Sequence, residues 1–197
     1  MKRIMIALWL TVAAVSAQAQ GLFGMDAQPN SFSYTYIEAH VLHMDFRNLN
    51  GIRTHGSLQV MPNLSVIGSV TGAARSQVDH QAITAGVAYH QQLQGTVLEK
   101  TDFIIHLEVE GQRTKIRPNN APSSSSNDKG LIIGAGLRNE LLEGVEIFGD
   151  FSMRTTRSTD LFVTLGSRYT VLPQLQLVAS VEASSNDTVM FGARYSF

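Results

Sequence analysis

His55-Gly56-Ser57 sets an imidazole two residues from a hydroxyl, and in an extended chain positions i and i+2 share a face. A histidine so placed can activate a serine as a nucleophile, but no acid stands where it would orient that histidine. His40 and His43, three apart, would share a helix face yet point to opposite faces of a strand, so they make no metal pair. Gly134-x-Gly136 lacks the rest of a dinucleotide fingerprint and precedes no helix. The 197 residues contain no cysteine, which removes thiol nucleophiles, thiolate metal sites and disulfides together. No cofactor and no metal is expected.

A second pattern is richer. His90, Arg138, Arg168 and Arg194 each follow a same-face glycine: Gly86, Gly136, Gly166 and Gly192. Acids fill the corresponding face of the intervening segments, as Glu38, Glu108, Glu110, Glu146, Asp150 and Glu182. Glycine would leave room for a long basic side chain, and alternation of sign would let each guanidinium meet a carboxylate across a ladder. Such a set is either a structural salt-bridge plug or a narrow constriction that selects small polar solutes.

These faces exist only if the segments are strands, and the sequence alternates with period two over most of its length. Val189, Phe191, Ala193, Tyr195 and Phe197 share one face, with Thr188, Met190, Gly192, Arg194 and Ser196 on the other. The same rule holds for 175–184, 161–171, 145–154 and 131–140, and for runs around Ile83 to Tyr89 and Phe103 to Val109. Residues 64–75, 52–61 and 32–46 are extended by their Val, Tyr and Thr content. That makes about ten strands, with eight as the smaller reading of the amino-terminal half.

Alternate links are tight, at Pro62, Gly144 and Pro173, with a longer one after His90, and the intervening links are polar. The longest, 117–130, is Ser-rich and reads as a solvated external loop. Short turns on one rim and loops on the other are the plan of an outer-membrane barrel, with turns periplasmic. The expected fold is all-β, a closed antiparallel up-and-down transmembrane β-barrel over 32–197.

Both ends agree. Lys2 and Arg3 precede an apolar run from Ile4 to Val15 and then Ala17-Gln18-Ala19, the small-x-small pattern that signal peptidase accepts. The run is shorter than the roughly 20 residues of a membrane helix. Residues 1–19 are therefore expected to be a cleaved signal peptide, and 20–31 a short periplasmic segment. Phe197 ends a strand that must pair with the first, because an unpaired edge in hydrocarbon is too costly. Net charge is −1 and no basic run occurs, so nucleic acid is not an expected partner.

The alternating last strand with its terminal Phe resembles the insertion signal that outer-membrane barrels present to the barrel-assembly machinery, carried here by Val189, Phe191, Ala193, Tyr195 and Phe197. "SYTYIEAHV", the hairpin "GSLQVMPNLSVIGSV", "AGVAYH" and "GARYSF" together resemble small proteobacterial barrels of the porin/OmpA-like superfamily, nearest to a quorum-factor-related branch. The resemblance implies a single barrel with no periplasmic domain and no established ligand residues. A monomer is expected in the outer membrane of a Gram-negative cell. Its partners there are outer-membrane lipid and lipopolysaccharide, with the assembly machinery and periplasmic chaperones acting during biogenesis. The expected function is a non-enzymatic barrel, structural or narrowly porin-like, with a mostly plugged charged lumen. The alternative is an outer-leaflet lipid A-modifying hydrolase using His55 and Ser57.

Overall fold

A computed structural model describes residues 32–45, 48–93, 100–117, 122–156 and 159–197. The expected signal peptide with Ala17 and Ala19, and the expected periplasmic segment 20–31, lie outside the described residues. Ten strands follow in order: β1 Tyr36–Met44, β2 Leu49–Met61, β3 Leu64–Arg75, β4 Val78–Leu93, β5 Thr101–Ile116, β6 Ser124–Leu142, β7 Val145–Thr155, β8 Thr159–Leu172, β9 Leu175–Ala183 and β10 Thr188–Ser196. Each pairs antiparallel with its sequence neighbours, and β1 pairs with β10 from Tyr36↔Ser196 to Met44↔Thr188, closing the barrel. Every strand therefore has two neighbours, which satisfies the backbone polar groups that hydrocarbon could not.

Period-two alternation decides the two surfaces. Outward side chains include Val41, Ile83, Val87, Val109, Leu131, Leu165 and Phe191, all exposed and forming a continuous apolar belt. A water-soluble domain would not carry so large an apolar surface, whereas lipid is a matching solvent for it. The belt has edges. On β4, β5 and β6 the outward residues Ile83, Val109 and Leu131 give way toward the loop rim to Gln81, Arg113 and Lys129. Tyr89, Tyr169 and Tyr195 mark the other edge, near the short turns.

Those turns hold two residues each: 62–63, 143–144 and 173–174. Gly144 adopts φ +75°, a left-handed conformation that glycine enters without a Cβ penalty. The opposite rim departs from the expected loops. β3 and β4 are joined by Ser76 and Gln77 alone, and the tract 117–130 is not one long loop. Strand β6 starts at Ser124 and pairs with β5 as far as Ile116↔Ser124, leaving only 117–123 between them. Serine and asparagine are poor strand formers, but the projecting end of β5 offers a ladder that outweighs their weak preference.

Candidate functional site: the charged lumen

Inward side chains of the middle strands build one linked set of charges. Glu146 on β7 receives Arg138 through two parallel bonds, Nε to Oε1 at 2.6 Å and Nη2 to Oε2 at 2.8 Å. This fork geometry gives both strength and orientation. Arg168 on β8, the register partner of Glu146, bonds the same carboxylate through Nη1 and reaches Glu38 with Nε at 3.4 Å. Glu38 on β1 also accepts from its register partner Arg194 at 2.7 Å and from His40 Nε2 at 2.7 Å. The chain Arg138, Glu146, Arg168, Glu38, Arg194 thus runs along the wall from β6 to β10 and β1, and all five side chains are buried. Aromatic faces lie against the cations: Arg168 over Phe148 at 3.9 Å and Arg194 over Tyr36 at 3.5 Å.

Glycine has a different task from the expected one: at Gly86, Gly136 and Gly192 a Cβ would first meet the backbone of the adjacent strand, and a ring fills the space at Gly166. A Cβ there would meet Phe148 Cζ at 2.4 Å, so the missing side chain admits the ring on which Arg168 rests, not Arg168 itself.

Apart from His90, which lies near the short turn at Asn63, the remaining predicted residues fall into separate groups nearer the loop rim. Glu182 pairs with Arg53 at 3.1 Å, and Glu110 with Arg154 at 2.9 Å. Glu108 and Asp150 flank His106, whose Nδ1 and Nε2 lie 3.0 and 3.1 Å from their oxygens. His90 does not join the charge set. Its Nε2 lies 3.3 Å from Ser65 Oγ and its ring is stacked at 3.5 Å on Tyr34, with no carboxylate partner among the described residues.

Arg53, Arg154, His106, Asp102 and Tyr34 are site residues that the sequence pattern does not assign, and His40 enters it only beside His43, as no metal pair. For Arg154 and His106 the signal was present, since both occupy inward positions of patterned strands. Arg53 sits on the weakly patterned β2, where nothing pointed to β9.

Ser57 and His55 both face the lumen, away from lipid. Ser57 Oγ donates to the Tyr34 carbonyl at 2.7 Å, and His55 stands edge-on to Tyr36. Among the described residues no hydrogen bond joins the two, so the serine is not activated by this histidine. A more convincing Ser-His-Glu sequence of contacts runs from Ser152 through His106 to Glu108. Ser152, however, is fully buried and its hydroxyl donates to Asp150, leaving no approach for a substrate carbonyl.

Charged walls enclose a cavity of about 540 Å³ that reaches from Asn186 and Asp128 at the loop rim down to Tyr34. Near the loop rim Leu42, Leu49, Ala73, Val78 and Met190 form a buried apolar cluster, of which only Met190 lines the cavity.

Fold and lumen together define a transmembrane β-barrel with a polar, ion-paired interior. No protein-family model matches the chain, and no curated protein matches it. Among solved structures it is similar to the KdgM porin in complex with disordered oligogalacturonate, at 13% identity over 82% of this chain and 99% of that one, TM-score 0.49. It is also similar to the N-terminal β-barrel domain of Pseudomonas aeruginosa OprF, at 11% identity over 84% and 100%, TM-score 0.47. Neisserial surface protein A is a third, at 12% identity over 84% and 98%, TM-score 0.47.

Proposed function

We propose that this protein is a non-enzymatic barrel of the Gram-negative outer membrane whose lumen forms a narrow, charge-lined passage for small polar solutes. In this reading it is a monomer, exported through a cleaved signal peptide, and a relative of the quorum-factor-related barrels that its strand motifs resemble. The observation that carries the reading is the cavity of about 540 Å³ inside a lipid-facing wall, bounded by opposed charges. Barrels of eight strands are just filled by side chains, and ten strands leave room only for a small opening. The short-turn rim is then periplasmic and the loop rim external.

In planar bilayers the folded protein is expected to give small, ion-selective conductance steps. Glu182→Gln frees Arg53 in the cavity wall and shifts the preference toward anions. Absence of conductance from the wild type and from variants with neutralised lumen charges would remove the channel function and leave a structural barrel.

Assembly is part of the same proposal. Val189, Phe191, Ala193 and Tyr195 all point outward on β10, the strand that closes the barrel against β1. Phe197 donates its amide to Thr35 at 3.1 Å and packs edge-on against Tyr195. Deleting Phe197 is expected to lower folded protein in the outer membrane and leave periplasmic aggregate. Undiminished heat-modifiable barrel after the deletion would show that these residues are not the signal read by the assembly machinery.

A further inference from the structure

The residues ahead of β1 leave the wall. Positions 32–35 turn inward at the short-turn rim instead of extending the strand, and the Phe32 and Tyr34 side chains and the Ser33 carbonyl find their partners on the far side of the barrel. In the closed ring β6 is five strands from β1 in either direction, so it is diametrically opposite. Tyr34 nevertheless donates its hydroxyl to Asp102 on β5 at 2.6 Å and stacks on His90 of β4. Arg138 on β6 donates to the Ser33 carbonyl at 3.3 Å and lies over the Phe32 ring at 4.2 Å. Four residues therefore span the width of the lumen.

Tyr34 is also where the cavity stops. Its ring contributes to the lining, whereas His90, Asp102 and Arg138, which hold it, do not. The charge set above it does not seal the lumen, because the cavity passes Arg168 and Glu38 to reach Tyr34.

We propose that residues 32–35 are a hinged strap that closes the periplasmic mouth, latched by Tyr34 on Asp102 and His90, and that its release connects the lumen cavity with the periplasm. The orientation rests on the barrel function proposed above. Hinge and latch are separate in the structure. Thr35 is tied to the wall, its carbonyl accepting from Phe197 and its hydroxyl accepting from the amide of Gln59 at 3.2 Å. The latch beyond it consists of side-chain contacts that water can replace. Withdrawing Tyr34 breaks no ladder bond, so the strap can open while the barrel stays closed.

The test compares wild type, Tyr34→Phe and Tyr34→Ala, each checked for heat-modifiable migration, by conductance in planar bilayers. Tyr34→Phe keeps the stacked ring and loses the bond to Asp102. It is expected to raise open probability about tenfold, the worth of a hydrogen bond to a carboxyl group. Tyr34→Ala is expected to hold the mouth open, with larger and sustained steps.

A second readout does not depend on conduction. The chain has no cysteine, so Ser65→Cys supplies a single thiol beside His90 that is fully buried and does not line the cavity. Its reaction with a charged thiol reagent should also quicken about tenfold when Tyr34→Phe is added, since the ring still stacks on His90, the neighbour of position 65, whenever the strap is shut. Unchanged labelling and unchanged conductance in folded Tyr34→Phe would overturn the strap. Faster labelling without conductance in any variant would uphold the strap as a moving closure and refute the channel function. If Tyr34→Ala does not fold, Tyr34→Phe carries both measurements alone.

Discussion

Arg168→Ala is expected to lower the unfolding stability of the barrel in detergent by about 1.5 to 3 kcal/mol, the worth of hydrogen bonds between charged groups. Arg168 is the link between two carboxylates, bonding Glu146 and reaching Glu38. Truncating it leaves Glu146 with Arg138 and Glu38 with Arg194 and His40, so neither acid is stranded but both lose a shared cation. The Phe148 ring, seated against Gly166, also loses the guanidinium that lies over it. Arg117→Ala is the matched comparison. Its ion pair with Asp79 is exposed on both sides, and such a pair contributes within about 1 kcal/mol. Equal denaturation midpoints for the two variants would show that the buried charges do not brace the wall.

The contrast between Arg168 and Tyr34 shows what the sequence could reveal. Inward placement of Glu38, Glu146, Arg168 and Arg194 follows from period-two alternation alone, and register partners such as Glu146 with Arg168 follow from antiparallel neighbours. Contacts across the lumen do not. Arg168 and Glu38 are on β8 and β1, three strands apart in the ring, and closure alone brings them together. Likewise 32–46 reads as a single extended run, because nothing in "FSYTY" marks where the chain leaves the wall. Tyr34 turns inward because a phenol and a ring face both find partners at the mouth, a tertiary effect invisible to local pattern. His90 departs from the pattern for a related reason: on its strand face it occupies the same kind of position as the arginines, but its neighbour is the aromatic ring of Tyr34 and not a carboxylate.

Gly192→Ala is expected to prevent stable closure of the barrel, whereas Gly72→Ala is expected to be tolerated. Both glycines lie within strands, where replacement by alanine ordinarily helps by reducing unfolded-state freedom. Their surroundings differ. A Cβ on Gly192 would stand 2.0 Å from the Ala39 carbonyl oxygen and 2.9 Å from His40 Cα, both backbone atoms of β1. Neither can move aside as a side chain could, so β1 itself must shift away from β10. Those two strands form the closing seam, and Gly192 is the register partner of His40 within it. Displacing one strand there also pulls Glu38 from Arg194 two positions along, coupling a lost ladder to a lost buried ion pair. At Gly72 a Cβ would meet nothing within 4 Å, and the position faces lipid. Heat-modifiable migration after refolding separates the outcomes: Gly72→Ala should show the folded band and Gly192→Ala only the unfolded one. A folded Gly192→Ala barrel of wild-type stability would mean that the β1 to β10 seam can slide or widen, and that closure does not depend on the tight approach of these two strands.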